Sequence, residues 1–444
     1  MPVVLQAHPT ARDTAASETR VSAGTVLVAV PCLAQVLLGA EKGRRCDCCL
    51  TPEEADLRLR RCSGCGSYWY CDAQCTQGQH AHWPVHKKYC SNFPRYTSSP
   101  AFAQLQTHQK LDAVLLTHLL AEFAATDTSS EELATFASLL PGPVSGLSCP
   151  PTCPLTTSRK PSHSATELYR RCGNNNFAIH SHFTTIAHGI FPLASRLFNH
   201  SCLPNAFPKY TFDRQHRVQM SIVAMRDIEA GEQICISYVD PALLDTRHQI
   251  FQFTYGFTCT CPSCTALSII RRTSSPPPIS EADITSLSTR LVNHVFPRLS
   301  SSDLSIALPS TLPSLATLPP SLHVALHESF LTNLTDRFSS ASHEGPFDVA
   351  LESGLAVLAL YVLIYPPNYP QIGLHLLELS KTAWNAHVTS PDLGPSTSIT
   401  DPVHRARVCL DLAQQVLRIV GPEGDPGGPA KELEVLEGLL SGDT

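Results

Sequence analysis

The chain has 444 residues, enough for two or three domains that each bury a core. Hydrophobic residues make up 43% of it, so most of the chain is expected to fold, and 36 prolines predict several loop-rich stretches. A formal charge of −6 argues against nucleic acid as an obligatory partner of the whole surface.

Taken in chain order, residues 18–38 read as strand material: the turn Ser22-Ala23-Gly24 opens an apolar run at Val26, Leu27, Val28 and Val30. Residues 46–90 form a cysteine-rich module, too polar and short for a core of its own. Over residues 101–140 the pattern is helical, with Leu111, Val114, Leu115, His118 and Leu119 at helical spacing. Prolines 141, 143, 150, 151, 154 and 161 mark a loop over 141–163. Short β-type segments then alternate with turns from 175 to 265, Gln219–Val223 and Ile234–Tyr238 among them. Residues 266–345 are rich in Ser, Pro and Leu and read in part as linker, although Leu291, Val295, Val324, Leu326 and Phe330 fit packed helices. The last hundred residues predict helical hairpins: one helix running to Tyr365, one over Gln371–His387 and one over Val403–Val420, ended by Gly421-Pro422. The longest apolar run, Leu355–Tyr365, is too short to span a bilayer and stops at Pro366-Pro367, so a buried helix is expected and no membrane partner.

No N-terminal secretory pattern is visible, so the 18 cysteines are expected in a reducing compartment, nucleus or cytoplasm, and point to metal rather than disulfides. Eight of them lie between Cys46 and Cys90. The spacing there is Cys46-x2-Cys49, Cys62-x2-Cys65, Cys71-x3-Cys75 and His86-x3-Cys90. Zinc takes four thiolate or imidazole ligands in a tetrahedron, and four such pairs supply two sites. Metal binding would also replace the missing core as a source of folding energy. Cys48 competes with Cys49, and His80 and His82 compete with His86; spacing alone does not say which pairs share a metal. Lys42, Arg44, Arg45, Arg58, Arg60, Arg61, Lys87 and Lys88 make the module basic. The bland account is a solvated face; the sharper one is a docking surface for an acidic partner or a DNA backbone.

With Tyr70-Cys71 and the stretch Trp83 to Lys87, these residues resemble a MYND zinc finger. The resemblance implies interleaved pairs, Cys46, Cys49, Cys71 and Cys75 on one zinc and Cys62, Cys65, His86 and Cys90 on the other. It also implies a peptide or protein partner, since such modules more often bind proline-rich peptides than nucleic acid.

Three further segments resemble SET-domain methyltransferases. They are Asn199-His200-Ser201-Cys202-Leu203-Pro204-Asn205, Gly231 to Tyr238, and Tyr255-Gly256-Phe257 followed by Cys259-Thr260-Cys261-Pro262-Ser263-Cys264. They follow Asn175-x-Phe177 in the order a SET–MYND protein has. The resemblance covers residues 17–265 and implies an α+β fold: a SET domain of short strands with an inserted MYND finger, a post-SET zinc motif and a helical, TPR-like C-terminal domain. The implied divisions are 1–45 and 175–250 for the SET domain, 46–90 for the finger, 91–174 for a helical insert and loop, 251–268 for the post-SET motif, 269–345 for the linker and 346–444 for the helical domain.

The resemblance further implies a protein-lysine methyltransferase that uses S-adenosylmethionine, with a lysine-bearing histone or non-histone protein as substrate, and three zinc ions; the oligomeric state is not readable from the sequence, and a monomer is the expectation. A lysine amine titrates near ~10.4, so its site must favour the neutral form through apolar walls and the positive charge of the cofactor. No strong base is needed, only alignment and fixed dipoles. By resemblance Tyr238 aligns the amine and Tyr255 is a second aromatic wall. Asn175, Asn199, His200 and Arg12 match cofactor contacts, and Phe257 the aromatic packed on the adenine. Cys202 matches the fourth ligand of a third zinc with Cys259, Cys261 and Cys264. Cys149 and Cys153 have no second pair and are expected to be free thiols. One departure stands out: the family opens with a glycine-rich G-x-G segment, whereas here the stretch is Ala11-Arg12-Asp13-Thr14-Ala15-Ala16-Ser17, with no glycine and an added negative charge. That departure favours a second reading, a catalytically weak scaffold that binds partners through the finger and the C-terminal helices.

Overall fold

In a computed structural model the described residues are 3–7, 13–54, 58–77, 82–125, 130–143, 148–157, 163–214, 216–271, 280–297, 308–389 and 402–442. Arg12, Ala11 and His80 lie outside them.

Two three-stranded antiparallel sheets and a set of two-stranded pairs build the β part. Gln219–Ala224 is the centre of one sheet, between Ala206–Thr211 and Val26–Pro31. Thr184–Ile190 is the centre of the other, between Ala34–Leu37 and Asn176–Ser181. The register slips between Ile222 and Val223, so Leu27 and Val28 are both buried while Val26 faces solvent. A bulge of this kind turns two consecutive apolar residues into the core. Val28, Val30, Ile186, Phe191, Met220, Ile222, Ile234 and Ile236 form that core.

The expected strand Ile234–Tyr238 is shorter than the sequence suggested. Only Cys235–Ile236 pairs, in parallel with Asn199–His200. The remaining backbone is spent on loop contacts: Ile234 N–H reaches the Ala15 carbonyl at 2.7 Å, and Tyr238 N–H reaches a His200 ring nitrogen.

Residues 46–90 do not stand alone. Cys46, Tyr68, Tyr70, Val85 and Tyr89 share one hydrophobic cluster with Leu115, Leu116 and Leu119 of the helix Thr107–Ala125. His118 of that helix is buried, and its Nδ1 donates to the Gln35 carbonyl at 2.7 Å while Nε2 accepts from the Tyr68 hydroxyl at 2.7 Å. Burial pushes its pKa down to about 3, so the ring stays neutral and ties the module to the helix and to a strand.

The C-terminal part is helical: Phe347–Ile364, Pro370–Thr389, Pro402–Val420 and a last helix, Pro429–Ser441, that the sequence pattern did not reveal. Successive helices pack on one another. Phe347–Ile364 starts earlier than its apolar run; its 18 residues have a mean hydropathy of 1.9, enough by composition to cross a membrane, yet 67% of them are buried within the protein. The stretch read in part as linker contributes Glu281–Val295 and Glu328–Glu344, whose Leu291, Val295 and Phe330 are buried in the same cluster. Asn368 donates to the Met225 carbonyl at 2.9 Å, and the Tyr365 hydroxyl donates to Asp240 at 2.7 Å, which fixes these helices against the β part. Between the last two helices Asp425 takes a two-point ion pair from Arg45, at 3.0 and 2.7 Å, and accepts from Ser181 at 2.6 Å.

Candidate active site and metal clusters

Three groups of four side chains each bring their ligand atoms within 4.8 Å of one another: Cys46, Cys49, Cys71 and Cys75; Cys62, Cys65, His86 and Cys90; Cys202, Cys259, Cys261 and Cys264. A tetrahedron of zinc–sulfur bonds has edges of about 3.8 Å. The structure gives 3.7 Å for Cys49–Cys71, 3.7 Å for Cys62–Cys90, 3.5 Å from either Cys62 or Cys65 to His86 Nε2, and 4.0 and 3.5 Å from Cys202 to Cys259 and Cys264. The donor sets therefore fit zinc, and the pairs interleave as the resemblance implies.

The surplus candidates have other partners. The Cys48 sulfur is not one of the four that converge, and its backbone N–H reaches the Cys46 sulfur at 3.4 Å, a contact that steadies a ligand. His82 uses one ring nitrogen with the Tyr70 hydroxyl at 2.9 Å and the other with Tyr89 at 3.3 Å, and burial pushes its pKa well below the ordinary value. Cys153 is buried in the cluster around the finger, near the Tyr89 carbonyl. Cys149 packs half-buried at the same cluster's edge.

A cavity of about 1260 Å³ gathers Asn175, Asn199, His200, Tyr238, Tyr255 and Phe257, with Asp13 and Arg196 on its wall. Asn199 donates from its amide to the Asp13 carbonyl at 3.3 Å. A single π-helical turn, Phe251–Tyr255, ends at Gly256, whose φ of +75° only glycine takes without strain. The chain thereby doubles back, Phe257 N–H bonding the Phe251 carbonyl at 3.2 Å, and the Phe257 ring stacks on Phe251 at 5.1 Å. Such an aromatic face beside amide side chains suits a nucleoside with an amino-acid end.

His200 lines this cavity and also has internal partners. Its Nδ1 accepts the Tyr238 backbone N–H at 3.0 Å, so the proton sits on Nε2, 3.3 Å from the Cys202 sulfur. Both nitrogens are thus engaged, and the ring, 4.4 Å from Phe251 and 5.3 Å from Tyr238, links the third cluster to the tyrosine. Asn175 donates to the Arg171 carbonyl at 2.8 Å and to Asn174 at 2.9 Å.

Tyr238 and Tyr255 also line a second cavity, of about 280 Å³. Asn174, Asn175, Tyr238 and Tyr255 line both cavities. The two tyrosine rings are 5.0 Å apart, and the Tyr238 hydroxyl donates to the Phe198 carbonyl at 2.7 Å. Burial, with Tyr238 adjacent, raises the Tyr255 pKa, so that phenol stays neutral. Phe207, Asp240, Tyr369 and Gln371 also line the smaller cavity, so β part and C-terminal helices share it. Asn176 Oδ1, Tyr210 Oη and Gln371 Oε1 are buried on its wall and find no hydrogen-bond partner among the described residues.

Two residues escaped sequence reading. Arg247 is 1% exposed; its guanidinium lies 3.5 Å from the Cys264 sulfur and donates to the Pro241 carbonyl at 2.6 Å. A buried cation beside four thiolates offsets the net negative charge that they keep around a divalent metal. Arg196 faces Asp13 at 3.2 Å. Neither arginine stands in a recognisable spacing, so no sequence signal could have found them.

Residues 17–239, about half of the chain, match the SET domain family. N-lysine methyltransferase SMYD2 of Mus musculus is 28% identical over 293 residues, 57% of this chain and 59% of the relative. N-lysine methyltransferase SMYD2-A of Danio rerio is 28% identical over 260 residues, 55% of this chain and 56% of the relative. Protein-lysine N-trimethyltransferase SMYD5 of Gallus gallus is 42% identical over 85 residues, 18% of this chain and 19% of the relative. The match therefore spans under two thirds of the length of these relatives.

Proposed function

We propose, from the premise that this chain belongs to the SET-domain family and is SET–MYND (SMYD-like) in type, that it is an S-adenosylmethionine-dependent protein-lysine N-methyltransferase. The observation that carries the reading is the meeting of two cavities at Tyr238 and Tyr255. A transferase of this class needs its cofactor and its protein substrate on opposite sides of one narrow passage, so that only the reacting amine passes through. The larger cavity suits the cofactor, with Asn175 and Asn199 toward its amino-acid end and Phe257 toward its base. The smaller one suits the side chain of a substrate lysine and its neighbours.

The bound cofactor supplies an electrophilic methyl group. The chain's own residues do the rest. Loss of hydration between Tyr238 and Tyr255, with the positive charge of the cofactor nearby, disfavours a charged amine, which gives its proton to water and keeps its lone pair for transfer. Tyr238, with its proton committed to the Phe198 carbonyl, meets the amine as an acceptor and turns it toward the passage. His200 holds the Tyr238 backbone from one side while it leans on the third metal cluster from the other.

We assign three zinc ions to the three Cys/His clusters, a docking role toward a peptide or protein to the finger, and the nucleus or cytoplasm as compartment. The second reading, a weak enzyme acting as scaffold, draws support from the missing glycines before Thr14. Incubation of the purified chain with radiolabelled cofactor and a panel of histones and lysate proteins separates the two: label on lysine supports transfer, and binding of cofactor without any label supports the scaffold.

A further inference from the structure

The wall of the larger cavity carries Asp13 where the family has a glycine-rich turn, and the structure sets a guanidinium against it. Asp13 and Arg196 touch through one carboxylate oxygen and one nitrogen at 3.2 Å. Their side chains are 39% and 36% exposed, accessible to a ligand yet partly removed from water. Among the described residues no other hydrogen bond reaches either charged group. The second charged pair on the same wall, Arg226 and Glu232, is in the opposite condition. Glu232 accepts from Arg226, from the Glu229 N–H at 3.1 Å and from Asn205 at 3.2 Å, and the arginine's hydrogen bonds hold its carboxyl below the ordinary range. One pair is saturated; the other has valence to spare.

Resting on the cofactor reading above, we propose that Asp13 and Arg196 grip the zwitterionic amino-acid end of S-adenosylmethionine, Arg196 taking its carboxylate and Asp13 its α-ammonium group. A zwitterion is matched by an acid and a base side by side, because each forms a charge-assisted hydrogen bond and the pair adds no net charge to the cavity. A lone aspartate would repel the carboxylate; Arg196 removes that objection. The bond from Asn199 to the Asp13 carbonyl keeps the acid in register with the loop that carries the other amide contacts. The pair thus replaces, with side-chain charge, the backbone approach that a glycine turn gives.

Calorimetry with three ligands tests this on the full chain: S-adenosylhomocysteine, its decarboxylated analogue, and methylthioadenosine, which lacks the amino-acid end. Arg196→Gln should weaken S-adenosylhomocysteine by about 10- to 100-fold, the loss of one charge-assisted hydrogen bond, and leave methylthioadenosine unchanged. Asp13→Asn should weaken both ligands that keep the amine and spare methylthioadenosine. Arg196→Lys, which keeps the charge, should retain most of the affinity. Equal losses for all three ligands, or no loss for any, overturn the clamp while leaving the cofactor reading intact. A wild-type chain that binds none of the three overturns the cofactor reading and the clamp with it.

Discussion

The finger clusters and the third cluster use the same ligand chemistry in different surroundings. In the finger, Cys46 to Cys90 hold a short polar stretch that packs through Tyr68 and Tyr89 against the helix Thr107–Ala125. The third cluster joins Cys202, three residues after Asn199, to Cys259, Cys261 and Cys264, which follow Tyr255 and Phe257. Its nearest partners are His200 and Arg247, and through His200 it reaches the Tyr238 backbone. A metal held by the finger would brace a module packed on a helix, whereas a metal held by the third cluster would brace the walls of a cavity.

The largest effect expected from this contrast is at Cys202. Cys202→Ser should lose one zinc by elemental analysis and abolish methyl transfer together with cofactor binding. Ordering the segment around Tyr255 and Phe257 without metal costs about 1–2 kcal/mol per residue fixed. Retention of cofactor affinity in that variant would remove the third cluster from any supporting role.

Next in size is Tyr238→Phe, which should lower turnover on the order of 10²-fold with cofactor affinity unchanged, since the ring remains and only the polar contact goes. Single-turnover rates and calorimetry on the same preparation read the two separately. A parallel loss of cofactor affinity would place Tyr238 in binding instead.

Cys65→Ser supplies the counterpart in the finger. One zinc should be lost and the melting temperature lowered, while cofactor affinity stays at the wild-type value, because no described residue of the finger lines the larger cavity. If it weakens the cofactor as much as Cys202→Ser does, the two metal regions are not independent and the contrast fails.

The smallest effect concerns how the finger's leading edge is held to the C-terminal helices. Arg45 and Asp425 are each 12% exposed and pair at two points. A double-mutant cycle with Arg45→Ala and Asp425→Ala should show a coupling of about 1–2 kcal/mol in urea unfolding. Strict additivity of the two changes would leave the pair without a stabilising role.

Much of this molecule was legible because its strongest signals are local. Metal-ligand spacing is a property of a turn, so Cys46-x2-Cys49 and Cys259-x-Cys261-x2-Cys264 announce themselves in one dimension. Helical periodicity revealed Thr107–Ala125 and three of the C-terminal helices for the same reason. Pro429–Ser441 lies beyond the helix stop at Gly421-Pro422 and follows Gly424, Pro426, Gly427 and Gly428, which break any helical pattern. The apolar content of Ile234–Tyr238 suggests one strand, but it says nothing about which backbone groups find partners, and only Cys235–Ile236 pairs.

Sequence by itself determined the kinds of chemistry present: thiolates in bunches, a pair of tyrosines, amides near a loop, and the SET–MYND order of motifs. Only the folded chain shows that Cys49 rather than Cys48, and His86 rather than His82, joins a cluster of four converging ligand atoms, since that depends on where a side chain points after folding. It also placed Arg247 against Cys264 and Arg196 against Asp13, residues 17 and 183 positions apart in the chain. Charges pair through space at a few ångströms, and nothing in the order of residues records a distance of that kind.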